Sequence, residues 1–226
     1  MSDIHGMYEK YKGMLKQIQF SEDDVLYVIG DVVDRGKESI KILKDMMLRS
    51  NVYGIIGNHE VMAVECLEFL NEEITDEMIE QLSEDKINKL ADWLANGGNT
   101  TLQEFRLLNS EEKNDIIEYL KEWTLYEEVD VNDQHYILVH AGLGNFDKDK
   151  QLDDYSIEEL VWERPDYQSS YYNDSLVIIG HTPTLSINGK NRIYRQNNII
   201  NIDCGACFNS GSLACLCLDT LEEYYL

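Results

Sequence analysis

Four apolar runs along the chain share one ending. Val25–Asp31 (VLYVIGD), Val52–Glu60 (VYGIIGNHE), Tyr136–Gly142 (YILVHAG) and Leu176–Thr182 (LVIIGHT) are short, rich in β-branched residues and marked by glycine. Continuous apolar runs of this length predict strands buried on both faces. Each run delivers Asp, Asn, His or Thr at its C-terminal end. In layered α/β folds ligands gather outside the carboxyl ends of strands, so four strands that end alike predict one shared site.

Helical spacing fills the gaps between them. Met7, Tyr11, Met14, Leu15 and Ile18 recur at that period, as do Ile40, Leu43 and Met47. From about Glu60 to Trp123 the pattern is mostly helical, with Thr75, Ser83 and Ser110 as N-caps and Ala95–Thr101 (ANGGNTT) as a break. Strand patterns with the same polar endings resume afterwards. The stretch therefore predicts a helical insertion, about 61–125, within one domain spanning 1–226. Arg192–Leu218 predicts short strands joined by Asn/Gly turns, hence a second sheet.

The charge is strongly one-sided. The formal net charge is −24, and residues 60–130 hold 20 acidic against 5 basic side chains. Such a surface repels nucleic acid and anionic membrane. It also repels phosphorylated substrates unless the site concentrates positive charge of its own, as bound metal ions would. No run approaches the ~18 apolar residues of a membrane span, and the polar start carries no signal peptide. The five cysteines are odd in number, which with the missing signal predicts a reducing, cytoplasmic setting. Cys204, Cys207, Cys215 and Cys217 invite a zinc reading, but Cys215 and Cys217 share one face of an apparent strand and read as buried packing.

The strand-end residues, in order, are Asp3, His5, Asp31, Asp34, Arg35, Asn58, His59, His140 and His181. Carboxylate, imidazole and amide oxygen together suit divalent Mn, Fe or Zn without a thiolate. One aspartate can bridge two such ions ~3.5–4 Å apart. His135 lies outside these motifs and reads as structural, Glu60 as a residue favouring the first turn of its helix, and the pieces SSYYND and EEYYL as ordinary exposed tyrosines or a recognition surface.

The motifs DIHG (Asp3–Gly6), GDVVDRG (Gly30–Gly36), GNHE (Gly57–Glu60), VHAG (Val139–Gly142) and GHT (Gly180–Thr182) together resemble the calcineurin-like metallophosphoesterases. The full GDxxDRG and GNHE forms resemble the branch of small bacterial and phage Ser/Thr protein phosphatases. NGG before Thr, VWERP (Val161–Pro165) and IDCGACF (Ile202–Phe208) are further landmarks. The resemblance implies a four-layer α/β/β/α sandwich of two mixed sheets flanked by helices. It implies two divalent metal ions, Mn2+ before Fe or Zn. Asp3 and His5 hold the first, Asp31 bridges, and Asn58, His140 and His181 hold the second. His59 is the general acid, oriented by Asp34, while Arg35, Arg164 and Asn58 meet the phosphate. A metal-bridging hydroxide attacks the phosphoester directly.

The substrate stays open between a phosphorylated protein and a small phosphoester. The alternative is a dinucleoside polyphosphate, as for symmetrical diadenosine tetraphosphatases. A non-catalytic binding protein of the same fold is disfavoured by the intact His59, Asp34 and Arg35. Arg164 has a surface alternative, pairing with Glu163 or Asp166. The resemblance also places DxH at the end of a buried strand of about five residues. Only Met1 and Ser2 precede Asp3, so that strand reads as cut short and Met1 as an internal methionine of a longer product. A genuinely short start would leave Asp3 and His5 mobile, or their metal weakly held.

Overall fold

The computed structural model describes residues 1–71 and 83–226. Helix α1 (Tyr8–Gln17) buries Tyr11, Met14 and Leu15. Strand β1 (Leu26–Ile29) leads through helix α2 (Ser39–Met47), which buries Ile40, Ile42, Leu43 and Met46. Strand β2 (Val52–Ile55) then pairs parallel with β1. Met47, expected on the buried stripe of α2, is half-exposed, because Met46 fills that side.

Among its described residues the acidic stretch is mostly helical. It comprises α3 (Asn58–Asn71), α4 (Glu84–Trp93), α5 (Asn99–Phe105) and α6 (Ser110–Lys121). Ser83 caps α4 by accepting from Lys86 N. The cap of α6 is Asn109 rather than Ser110: its side chain accepts from Glu112 N, and Glu112 accepts from Asn109 N. That reciprocal pair satisfies two end donors at once, which a serine one residue later cannot do. Thr75 lies outside the described residues. Ala95–Thr101 breaks the helix as its two glycines predict: α4 gives way to α5 across a kink at Gly97, whose φ of 106° and ψ of 9° are not helical.

The edge strand β3 (Tyr126–Val131) and β4 (Gln134–Val139) make an antiparallel hairpin. Helix α7 (Ile157–Val161), β5 (Ser175–Ile179) and α8 (Thr184–Asn188) follow. Then come β6 (Tyr194–Gln196), β7 (Ile199–Asn201), β8 (Ala214–Leu216) and β9 (Glu223–Tyr225). The larger sheet is mixed, in the order β3-β4-β5-β7-β6, with β4, β5 and β7 parallel at its centre and antiparallel partners at both edges. β8 and β9 pair antiparallel. Ser2 meets Ile29 in a single parallel bridge, and Met1 is buried there.

Alternating side chains sort the strands between three apolar clusters. Leu26 and Val28 of β1 pack with α1, α2 and α3. Ile29 and Ile55 pack against Tyr136, Leu138, Ile178 and Ile200 of the larger sheet. The opposite faces of β4 and β5, through Ile137, Val139, Val177 and Ile179, pack on Leu160 and Val161 of α7. Both faces of the central strands are covered, which is why their sequences are continuously apolar. The tyrosines read as exposed are half-buried: Tyr171 and Tyr172 each stack edgewise on Phe146 at 5.1 Å, and Tyr224 packs against the helical cluster.

Candidate metal centre

Five loops converge where β1, β2, β4 and β5 end. Asp3 N donates to Gly30 O, His5 N to Asp31 O and Gly6 N to Val32 O, so the N-terminal loop lies along the loop after β1. Asp3 and His5 are 2% and 1% exposed; they are held, not loose. Asp31 stands at the centre. His5 Nε2 lies 3.6 Å from its Oδ2, His59 Nε2 3.8 Å from the same oxygen, and His140 Nε2 3.3 Å from Oδ1. Asn58 Oδ1 is 3.1 Å from His140 Nε2 and 2.9 Å from His181 Nδ1. Two groups thus have donor atoms close enough to share an ion: His5, Asp31 and His59, and Asp31, His140 and His181.

The donor set fits divalent cations. His140 Nδ1 donates to Ile29 O, which leaves a lone pair on Nε2 facing the Asp31 carboxylate and the Asn58 carbonyl oxygen. Buried acceptors that face one another with no hydrogen between them are costly unless a cation joins them. His5 is oriented the same way, Nδ1 donating to Val33 O at 2.9 Å. His181 Nε2 is buried with no partner among the described residues. Asp3 is brought to the site, but its carboxylate turns to accept His181 N at 3.1 Å.

Electrostatics separates the histidines. Burial pushes His5 down to about 3 against the pull of Asp31. Burial also pushes His181 down to about 3, helped by His140 and Arg164, and lowers His140. All three are held as neutral imidazole, the form that ligates metal. His59 goes the other way. Burial opposes its charge, but Asp31 and a hydrogen bond to Asp34 outweigh that and raise it above its ordinary value. Burial likewise opposes ionisation of Asp31, yet the surrounding imidazoles hold it below the usual carboxylate range.

Arg35 Nη1 lies 2.7 Å from His5 Nε2 and Nη2 lies 3.0 Å from His59 Nε2, so its fork spans the mouth of the site. Arg164 is exposed and close enough to His181 to lower it. Among the described residues it forms no ion pair, with Glu163 and Asp166 included. Trp162 stacks edgewise on His181 at 6.0 Å.

Sequence reasoning undervalued Glu60. Beyond opening α3, it is fully buried and takes four backbone donors: Asp31 N, Val32 N, Val33 N and Gly57 N at 2.8–3.1 Å. It braces the two loops that carry Asp31 and Asn58. Burial and the Asp31 charge push its carboxyl up to about 7, while those amides pull it back. Asp203, inside the IDCGACF motif, has no role in the sequence reading. It is buried, accepts Gly205 N at 2.8 Å and is pushed up to about 7 by burial. The four C-terminal cysteines are free thiols and join no metal-binding group among the described residues.

A family model described as calcineurin-like phosphoesterase matches residues 1–204. The chain belongs to that family. As a calcineurin-like phosphoesterase it is a metal-dependent phosphoester hydrolase. It is 26% identical over 93% of its length to an asymmetrical bis(5'-nucleosyl)-tetraphosphatase of Oceanobacillus iheyensis, covering 84% of that protein. It is 27% identical over 73% of its length to serine/threonine-protein phosphatase 2 of Salmonella typhimurium, covering 66% of that protein. A symmetrical bis(5'-nucleosyl)-tetraphosphatase of Wigglesworthia glossinidia brevipalpis is 32% identical over 42% of this chain, which covers 36% of that protein. In fold, the phosphoesterase superposes on a candidate diadenosine tetraphosphatase with a TM-score of 0.67 at 15% identity, covering all of this chain and 90% of the other. A metallophosphoesterase from Sphaerobacter thermophilus gives 0.54 at 15% identity, covering 100% and 86%. No helix among the described residues of the phosphoesterase is long and apolar enough to cross a membrane.

Proposed function

We propose that this phosphoesterase hydrolyses phosphomonoesters, with phosphoserine or phosphothreonine in proteins as the substrate class. One domain, residues 1–226, carries the activity, and residues 61–125 are its insertion. Asp3, His5 and Asp31 would hold one cation; Asp31, Asn58, His140 and His181 would hold the other, with Mn2+ the first choice. A bound pair of divalent cations supplies Lewis acidity at the phosphate and a nucleophile from water near neutral pH. The chain's own residues do the rest. Arg35 presents a planar fork to two phosphate oxygens, with Arg164 and Asn58 beside it. His59 carries the proton that the leaving oxygen needs, and Asp34 holds its ring.

The observation that carries this reading is the split among four buried histidines. Three are kept neutral around Asp31 and Asn58, and the fourth is kept chargeable by Asp34. That is the division expected of three ligands and one acid. The charge of −24 favours a phosphopeptide flanked by basic residues over a tetra-anionic dinucleotide.

A second reading, hydrolysis of dinucleoside polyphosphates, is favoured by a relative with a tetraphosphatase name that matches 93% of this chain and is covered to 84%. Specificity constants on Lys/Arg-flanked phosphopeptides and on diadenosine tetraphosphate, with Mn2+ supplied, decide between them. A larger kcat/KM on the phosphopeptides is expected. The opposite order would move the enzyme to the second reading.

A further inference from the structure

The kink at Gly97 and its flanks touch the candidate site at three points. Trp93, Gly97 and Thr101 recur at a spacing of four and face the Asp34–Arg35 loop. Trp93 Nε1 donates to Asp34 Oδ2 at 2.9 Å. Gly97 O accepts Arg35 N at 3.1 Å. Thr101 Oγ1 donates to Asp34 Oδ1 at 2.7 Å and accepts Asp34 N at 2.8 Å. Asp34 Oδ2 also accepts His59 Nδ1–H at 2.7 Å. Trp93, Thr101 and Asp34 are all fully or almost fully buried. Both oxygens of the carboxylate are therefore fixed, and no water need reach it.

These contacts are more than core packing. A phenylalanine would keep a smaller aromatic ring at this position and lose the N–H. The chain gives up side chains to keep the indole here: a Cβ on Gly98 would lie 2.4 Å from the ring. Gly97 adopts a left-handed φ of 106°, and a Cβ there would lie 2.8 Å from Arg35 Cγ.

We infer that Trp93 and Thr101 are positioning residues for proton delivery: by pinning both oxygens of Asp34, they aim the His59 ring at the oxygen that leaves phosphorus. The inference rests on the reading of His59 as the acid. In that step the oxygen of the attacking water bonds to phosphorus while the bond from phosphorus to the leaving oxygen breaks, its electron pair going to that oxygen. The proton from His59 Nε2 follows, and the attacking water later returns a proton to the ring. The helical insertion thus enters the chemistry through two neutral donors.

The test varies how much the leaving group needs a proton. Trp93→Phe and Thr101→Val are compared with the unaltered protein on phenyl phosphate, a poor leaving group, and 2,4-dinitrophenyl phosphate, a good one, with Mn2+ supplied. Each variant is expected to lose about tenfold or more in kcat on phenyl phosphate and less than about threefold on the dinitrophenyl ester, at similar KM. Thr101→Ser should restore the phenyl phosphate rate. In the metal-free protein, the low-field Nδ1 proton of His59 should be visible by NMR and be lost to exchange in Trp93→Phe and Thr101→Val. Equal losses on both esters, or no loss on either, would overturn the inference while leaving the phosphoesterase reading in place. An unaltered protein inactive on both esters would sink the two together. Should Trp93→Phe not fold, the Thr101 pair decides alone.

Discussion

Six candidate site residues hold a backbone that side chains ordinarily avoid. Asp3, His5, Asp31, Asp34, Arg35 and His181 all have positive φ, between 46° and 71°. Each such residue costs on the order of 1 kcal/mol and persists only where its surroundings over-determine it. Here the surroundings are named: Glu60 takes the amides of Asp31 to Val33, and Thr101 and Ser39 take that of Asp34. The strain aims side chains at one point without lengthening the loops. Within that point the proposed roles follow the contacts: His59 is bound to Asp34 while His140 and His181 crowd Asn58. Replacing His59 by Asn should therefore cut turnover by roughly 10²–10³-fold on phenyl phosphate, the share a general acid supplies, while bound metal per chain stays near that of the unaltered protein. Asp31→Asn should reduce both turnover and metal content. Elemental analysis beside the rate measurement distinguishes them, and equal metal loss in the two variants would remove His59 from its role.

At the scale of elements, the β3–β4 hairpin illustrates what sequence pattern conveys and what it hides. β3 reads YEEVDV, too acidic to stand out as a strand, because it is an edge with one wet face. Its turn is Asn132-Asp133, both at positive φ, the two-residue form whose twist suits a hairpin. His135 sits opposite Asp130 and bonds both Asp130 and Glu128. The Asp130 bond first, then that to Glu128, raises its pKa above the ordinary value. A raised folded pKa means that this contribution is complete below the unfolded value of about 6.5 and fades as pH climbs through the folded one. His135→Gln should thus lower Tm by a degree or two at pH 5.5, consistent with a surface pair worth under about 1 kcal/mol, and leave Tm unchanged at pH 8.5. A loss at pH 8.5 equal to that at 5.5 would show packing instead of charge. Strands buried on both faces were legible because their code is local: a short apolar run and a polar end. What escaped depends on distant partners. Glu60 reads as a helix-favouring acid until the loop after β1 folds over it. Gly97 and Gly98 read correctly as a break, but nothing local shows that Trp93 and Arg35 claim the space a Cβ would take. Asn109 outcompetes Ser110 only because Glu112 returns its hydrogen bond.

For the whole molecule, a charge of −24 sets self-repulsion against compactness, and the candidate centre concentrates the problem. Asp3, Asp31, Glu60 and Asp203 are all buried within one region. Burial and mutual repulsion raise Asp3, Glu60 and Asp203, so without cations the fold carries its least comfortable charges beside its most strained loops. Divalent ions that bind only the folded state offset this by mass action. At a hundredfold excess over Kd the gain is ~2.7 kcal/mol, about 5–10 °C in Tm for a chain of this length. Chelator treatment should lower Tm by that order, and Mn2+ should restore it. Asp31 touches both groups of donors, so Asp31→Asn should lose most of the rise even if its metal-free form melts no lower. Added KCl should raise the Tm of the metal-free protein by screening surface repulsion. It should diminish the Mn2+ increment only weakly, since buried charges are screened far less than exposed ones. An Mn2+ increment erased by 0.5 M KCl would instead place the ions on the acidic surface of the helices, away from Asp31.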